Sequence, residues 1–147
     1  MTDFLIATDA PRLFDELRSV LGGPGTQVRW VRSGHDVRQA ANQQPPDLAI
    51  LDMQIGTMGG IGVHFDIRLE IDAKRLEPFP TLLLLDRRAD VFLARRSGVT
   101  GWLLKPLDPI RLRRATTALV GGGTYFDTSY LPTPVAVPVG QEPSALG

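Results

Sequence analysis

The stretch that decides the fold is DLAILDMQIGTMGGIG, residues 47–62. Its first half is a continuous apolar run of strand length, residues 48–51, which ends at the carboxylate of Asp52. A strand that is buried on both faces of a parallel sheet has this composition. Four glycines in the following loop, at positions 56, 59, 60 and 62, mark the end of the strand. Asp52 is therefore either the cap of a turn or part of a site at the carboxyl end of the strand.

Outward from this stretch, strand and helix patterns alternate five times. The predicted strands cover residues 4–8, 27–32, 48–51, 81–85 and 102–104, and the predicted helices cover residues 11–21, 36–42, 61–76, 87–96 and 109–120. Such alternation predicts an α/β fold with a parallel sheet and helices on both faces. Right-handed crossovers favour a flavodoxin-like, doubly wound sheet of five strands in the order 2-1-3-4-5. The domain is predicted to span residues 1–120, and residues 121–147 to form a Gly/Pro-rich extended tail.

Composition excludes several classes of function. The chain has 147 residues with 16 basic and 16 acidic side chains, and zero net charge argues against a nucleic-acid binder. Cysteine is absent, which excludes disulfides and thiolate sites. The sequence shows neither a signal peptide nor the run of about 20 apolar residues that spans a bilayer. The predicted location is the cytoplasm, with peripheral docking on a membrane-bound partner left open.

Polar side chains end four of the predicted strands, at Asp9, Asp52, Asp86 and Lys105. Because the carboxyl ends of parallel strands share one edge of the sheet, these side chains are expected to converge. Paired carboxylates attract Mg²⁺, a lysine can neutralise a phosphoryl group, and a carboxylate can act as a nucleophile. The convergence favours a site over a turn cap at Asp52.

At this point the sequence resembles a known family. Three segments, FLIATD at 4–9, DLAILD at 47–52 with MGG at 58–60, and GWLLKP at 101–106, resemble the receiver domain of two-component response regulators. The resemblance covers about residues 3–120.

The resemblance implies a role for each matching residue. Asp52 would be the phosphoacceptor, and Mg²⁺ would be held by Asp9, Asp52 and the backbone carbonyl of Gln54. Lys105 would contact the phosphoryl group and precede a cis peptide to Pro106, and Trp102 would be the switch aromatic.

Departures from the family pattern qualify these roles. Thr8 replaces one of two adjacent acids, which predicts a weakened or absent Mg²⁺ site. Leu85, or Asp86 if the match is shifted by one residue, stands where the family has a serine or threonine. Neither leucine nor an ionised aspartate can donate a hydrogen bond to a phosphoryl oxygen. Asp86 brings a like charge near that group, while Gly56 and Gly59 loosen the loop after Asp52.

Seven arginines fall in the predicted fourth and fifth helices, which border the usual docking face of receivers. They are Arg87, Arg88, Arg95, Arg96, Arg111, Arg113 and Arg114. They form either a solvated helix face or a surface for an acidic protein partner. His35 is expected to be solvated, because it has no second ligand at metal spacing, and His64, one turn before Arg68, is expected to lie on the surface.

The predicted tail has four side chains that are too apolar for a linker: Tyr125, Phe126, Tyr130 and Leu131. They either fold back on the domain or lie along a partner. No output domain is expected from this tail.

The leading functional hypothesis is an atypical, free-standing receiver that docks on another protein or in a larger complex, with little dependence on phosphorylation. The alternative is a phosphorelay acceptor, phosphorylated on Asp52 in a Mg²⁺-dependent reaction by a histidine kinase or phosphotransfer protein. An enzymatic phosphohydrolase is not expected. The neutral amide of Gln54 stands where such enzymes have a general acid.

Overall fold

The computed structural model of the protein describes residues 1–56 and 58–132, in which strands and helices alternate along the chain. The strands are β1 (Thr2–Ala7), β2 (Thr26–Val31), β3 (Leu48–Asp52), β4 (Thr81–Leu85), β5 (Gly101–Leu104) and β6 (Tyr125–Phe126). The helices are α1 (Pro11–Leu21), α2 (His35–Gln43), α3 (Gly59–Asp72), α4 (Asp90–Arg96) and α5 (Pro109–Val120). Among the described residues, none of these helices is long and apolar enough to cross a membrane.

The strands form one parallel sheet in the order β2-β1-β3-β4-β5-β6. The predicted flavodoxin-like fold and the order of the first five strands are confirmed. The predicted strand count of five was wrong, because β6 extends the sheet beyond β5. A strand of two residues is too short to show a hydrophobic period in the sequence, and the preceding glycines favoured a linker.

Two apolar layers cover the two faces of the sheet. Alternate residues of the central strands point to opposite faces, so Leu51 and Leu83 pack towards α2, α3 and α4. Ile50 and Leu82 pack on the other face, towards α1 and α5. All five residues of β3 and of β4 are buried, as their apolar runs predicted. Because β3 and β4 pair in parallel, their carboxyl ends lie at the same edge of the sheet.

Helix boundaries follow local capping chemistry. Pro11 is the first residue of α1, where its missing N–H costs no hydrogen bond. The Asp108 carboxylate accepts a hydrogen bond from Ile110 N (3.2 Å) and caps α5. Helix α3 begins at Gly59 and ends at Asp72, whereas the pattern predicted residues 61–76. The predicted end of α3 was wrong, because Lys74 has a left-handed backbone conformation (φ 62°) that cannot continue a helix.

His64 is buried, with 3% of its surface exposed, so the expectation of a position on the surface was wrong. Its Nδ1 lies 2.9 Å from the hydroxyl of Thr81 and its Nε2 lies 3.2 Å from the carbonyl oxygen of Ser97. Burial, reinforced by the charge of Arg68, lowers the pKa of His64 against the opposing effect of the Ser97 hydrogen bond. The ring is therefore a neutral polar bridge between α3, β4 and the end of α4.

Candidate functional site

Asp52 lies at the end of β3 with only 2% of its surface exposed. Its Oδ1 accepts hydrogen bonds from Gln54 N (3.0 Å) and from Lys105 Nζ (2.7 Å). Its Oδ2 accepts a hydrogen bond from the hydroxyl of Thr8 (2.7 Å). The buried carboxylate thus has donors on both oxygens, which is the condition for keeping a charge inside a protein. Its role as phosphoacceptor remains a prediction.

Lys105 is shared between two acids. Besides Asp52, its ammonium group contacts Asp86 Oδ1 at 3.0 Å. Partial burial of the amine lowers the pKa of Lys105, but the hydrogen bonds and charges of Asp52 and Asp86 outweigh that effect and raise it. Asp86 Oδ2 is buried and has no hydrogen-bond partner among the described residues. The predicted convergence of these three side chains is present in the structure.

Asp9 lies on the same edge of the sheet but is exposed. Its Oδ2 accepts a hydrogen bond from Gly56 N (3.1 Å), which ties the end of β1 to the loop after β3. Asp9, Asp52 and the carbonyl of Gln54 provide oxygen donors of the kind that Mg²⁺ prefers. Among the described residues, no three His, Cys, Asp or Glu side chains group as a metal site. The donor set fits a Mg²⁺ site with two carboxylates, and the metal assignment stays a prediction.

Thr8 is the residue of this site whose contribution the sequence did not reveal. The sequence indicated only that an acid is missing there, whereas the structure shows a buried hydroxyl that accepts a hydrogen bond from Ala10 N (3.1 Å) and donates to Asp52. Only the tertiary structure shows which partner that hydroxyl finds.

The two predicted switch positions are both buried. Leu85 is fully buried in the apolar layer beside α4 and lies opposite Leu104 in the register of β4 and β5. Trp102 is 4% exposed, and its indole N–H donates to the carbonyl of Asp127 (3.2 Å). The Lys105–Pro106 peptide is cis, as the resemblance implied.

All seven arginines predicted for the partner face are exposed. Three lie on α5, two lie on α4 and two lie in the loop before α4. Arg87 pairs with Asp90 (3.2 Å), and Arg111 lies 3.9 Å from Asp108. Exposed apolar side chains accompany the arginines of α4, where Phe92 is 69% exposed. This surface is basic and apolar, and its role in docking remains a prediction.

Of the four apolar side chains of the predicted tail, three contact the domain, and two keep a large part of their surface exposed. Tyr125 packs against the layer formed by α1 and α5, and Tyr130 packs against the opposite layer. Phe126 lies with its ring 4.5 Å from that of Trp102 and keeps 44% of its surface exposed. Leu131 is half exposed. Residues 125–130 therefore fold back on the domain, whereas residues 133–147 of the tail lie outside the described residues.

The fold and this cluster define a class of protein. Residues 4–117 match the family model of the response regulator receiver domain. The chain therefore belongs to the receiver domain family of two-component signalling.

Relatives in this family differ in length. The chain is 25% identical to the protein PilH of Pseudomonas aeruginosa over 122 residues, which cover 83% of this chain and all of PilH. It is 30% identical over 108 residues to the DNA-binding response regulator MtrA of Mycolicibacterium smegmatis, covering 74% of this chain but 46% of MtrA.

Among solved structures, the receiver domain of the sensor histidine kinase PA1611 of Pseudomonas aeruginosa matches with a TM-score of 0.70. It is 21% identical, and the match covers 82% of this chain and 98% of that chain. That structure has a magnesium ion coordinated in its active site cleft. At this identity the match shows the shared fold.

Proposed function

We propose that this receiver domain is a signalling module that docks on another protein with little dependence on phosphorylation of Asp52. The observation that carries the proposal is the double engagement of Lys105 by Asp52 and Asp86, at 2.7 and 3.0 Å. The cation that would contact a phosphoryl group is already neutralised by side chains of the domain itself. A phosphoryl group on Asp52 would have to compete with Asp86 for this lysine.

Two further features weaken a phosphate signal. Asp86 would repel the incoming anion, because like charges at close range disfavour each other. Leu85 offers no hydrogen-bond donor that could move toward a phosphoryl oxygen, and it is held in the apolar layer. The usual physical link between phosphate and Trp102 is therefore missing.

The exposed arginines on α4, α5 and the loop before α4 support an acidic protein surface as the partner. A guanidinium group makes paired hydrogen bonds to carboxylates, which gives orientation as well as attraction. Exposed Phe92 and Leu93 on α4 add an apolar contact beside the charges. A subunit of a larger complex, or a membrane-bound protein that brings the domain to the membrane surface, fits this chemistry equally.

The test is a quantitative pull-down from the native cells with the full chain, Asp52→Asn and Arg88→Glu/Arg96→Glu as baits. We expect wild type and Asp52→Asn to retain the same partner in equal amount and the double arginine variant to lose it. Arg12→Glu/Arg18→Glu, a pair of exposed reversals on α1, makes the same change of net charge and is the control. Capture of the partner by wild type but not by Asp52→Asn would contradict the proposal.

The second candidate function is a phosphorelay acceptor, which is supported by the convergence of Asp9, Asp52 and Lys105. In that function the Asp52 carboxylate attacks phosphorus, the P–N bond to the phosphohistidine of the donor protein breaks, and an acyl phosphate forms while the electron pair of the broken bond goes to the histidine nitrogen. Mg²⁺, held by Asp9, Asp52 and the Gln54 carbonyl, would neutralise charge on the phosphoryl oxygens. Lys105 would have to exchange Asp86 for one of those oxygens.

Incubation with acetyl phosphate and Mg²⁺, followed by intact-mass measurement, tests this second candidate. A base-labile gain of one phosphoryl group in wild type, absent from Asp52→Asn, would support it. An unchanged mass in both proteins would exclude small-donor phosphorylation of Asp52. Gln54 offers no acid for proton transfer to a leaving group, so we propose no phosphohydrolase activity.

A further inference from the structure

Residues 121–131, here called the strap, close the outer edge of β5. Tyr125 N donates to Thr100 O (3.0 Å) and Asp127 N donates to Trp102 O (3.1 Å), which continues the parallel ladder. Leu104 N on the same edge donates to Asp127 Oδ2 (2.9 Å). The strap thus occupies backbone groups that an open edge would leave available for pairing with another chain.

Asp127 holds the strap against β5 through hydrogen bonds. It is 3% exposed, and its two carboxylate oxygens accept hydrogen bonds from Leu104 N and from Ser129 N (2.8 Å). A buried carboxylate without such donors is costly. The position of Asp127 and the docking of the strap on β5 therefore depend on each other.

Trp102 is enclosed by the strap. Its indole N–H donates to the carbonyl of Asp127 (3.2 Å), and the ring of Phe126 lies 4.5 Å away. On the α4 side the guanidinium of Arg95 lies 5.9 Å from the centre of the Trp102 ring. These contacts come from residues outside the phosphoacceptor site, so nothing at Asp52 has to change for Trp102 to stay buried.

We propose that the strap is an intramolecular lock, which holds Trp102 inward and keeps the edge of β5 closed whatever the state of Asp52. The inference rests on the proposed function, because the lock is the physical reason for a docking surface that is independent of phosphate. The lock takes the place of a trigger at position 85. Asp127 is its positioning residue, since it binds the backbone of β5 directly before Lys105.

The test measures hydrogen exchange of the Trp102 indole N–H by NMR in the full chain, with the second indole signal assigned to Trp30 through Trp30→Phe. Asp127→Ala is expected to speed exchange at Trp102 by about tenfold or more, because hydrogen bonds to a buried charged group are lost. Exchange at Trp30 is expected to stay as in wild type. Asp72→Ala, which removes an exposed acid of α3, is the matched control and should change neither signal. Equal exchange at Trp102 in Asp127→Ala and wild type would overturn the lock.

A second measurement needs no destabilised variant. In wild type, the amides of Leu104, Tyr125 and Asp127 should exchange slowly and at similar rates, because one docking event protects all three. Fast exchange at Tyr125 and Asp127 beside a protected β4 would overturn the proposal. Neither measurement includes a phosphodonor or a partner, so its failure is distinct from failure of the pull-down.

Discussion

Lys105 is the residue on which the balance of charge in the candidate site depends. It is the cation between Asp52, which is nearly inaccessible, and Asp86, whose second oxygen has no partner among the described residues. Removing one member of a buried ion pair is costly, because the remaining charge stays desolvated. The same lysine therefore stabilises the fold and is the residue predicted to contact a phosphoryl group.

Lys105→Met is expected to lower the free energy of unfolding by about 2 kcal/mol, below the full cost for a buried pair because the lysine is partly exposed. Adding Asp52→Asn should restore much of the loss, since the uncompensated carboxylate is then gone. Urea unfolding of the two single variants and the double variant measures this coupling. Lys74→Met, at an exposed lysine, should be neutral. Simple additivity of the two changes would contradict the ion-pair interpretation.

His64 predicts a pH dependence of stability. Burial, the main cause, lowers its pKa below the ordinary 6.5. As the pH falls, His64 is therefore protonated at a higher pH in the unfolded chain than in the folded chain. Stability should fall as the pH drops from about 7 toward 5, by at most about 1.4 kcal/mol per pH unit for one proton.

Thermal or urea unfolding between those pH values tests this dependence. His64→Gln should flatten the dependence in that window, whereas His35→Gln, at the exposed histidine, should leave it as in wild type. An unchanged slope in His64→Gln would show that another group is responsible.

Among the elements, the start of α3 is packed against the strand that carries Asp52. A Cβ on Gly60 would lie 2.8 Å from the backbone oxygen of Asp52 and 3.1 Å from Met53 Cα. At Gly62 in the same helix, the nearest atom would be the flexible side chain of Met58 at 3.0 Å. A side chain at position 60 would therefore meet backbone atoms of β3, whereas a side chain at position 62 would meet only a flexible side chain that can move.

Gly60→Ala is expected to destabilise the domain by about 2 kcal/mol, because backbone atoms of β3 must move. Gly62→Ala should be neutral or stabilising by up to about 1 kcal/mol, since alanine favours the helix. Denaturant midpoints of the two variants measure this contrast. Equal effects at the two positions would mean that the close approach to Asp52 is not what limits position 60.

Elements whose sequence signal lies within a few residues could be predicted from the sequence. The environment of a side chain whose contacts are distant in sequence could not. The apolar run of β4 and the Asp108–Pro109 start of α5 gave correct boundaries, and the run of β3 gave boundaries correct to one residue, because each signal lies within a few residues. His64 was misjudged because its partners, Thr81 and Ser97, are distant in sequence.

At the scale of the whole molecule, both apolar layers use the same central strands. Trp30, stacked on Phe14 at 4.4 Å near one side of the sheet, and Trp102, near the other side, report on opposite ends of that structure. Because β1, β3 and β4 join the layers, the domain should unfold in one cooperative transition.

Fluorotryptophan NMR through a urea titration tests this cooperativity. The two tryptophan signals of wild type should change at the same midpoint as the far-UV circular dichroism. Earlier loss of the Trp102 signal in wild type would show that β5 and the strap form a separate, weaker unit.

The edge of the sheet that carries the site could be predicted, but its internal pairing could not. Asp9, Asp52, Asp86 and Lys105 each end a strand in the sequence, so their common edge followed from parallel topology. The choice of Asp86 as the second partner of Lys105 depends on side-chain geometry. Asp127 was missed because it follows a strand of two residues, and the domain boundary at residue 120 remains a prediction.

The direction of β6 matters for how the protein is attached to a support or to a reporter. Because β6 runs parallel to β5, its carboxyl end lies at the edge of the sheet that holds Asp52, whereas β1 starts at the opposite edge. Met1 is 87% exposed, so an affinity handle placed before it points away from the site. A bulky reporter joined soon after β6 would begin toward the same edge of the sheet as the site. Capture through the amino terminus is therefore the orientation for binding measurements on this protein.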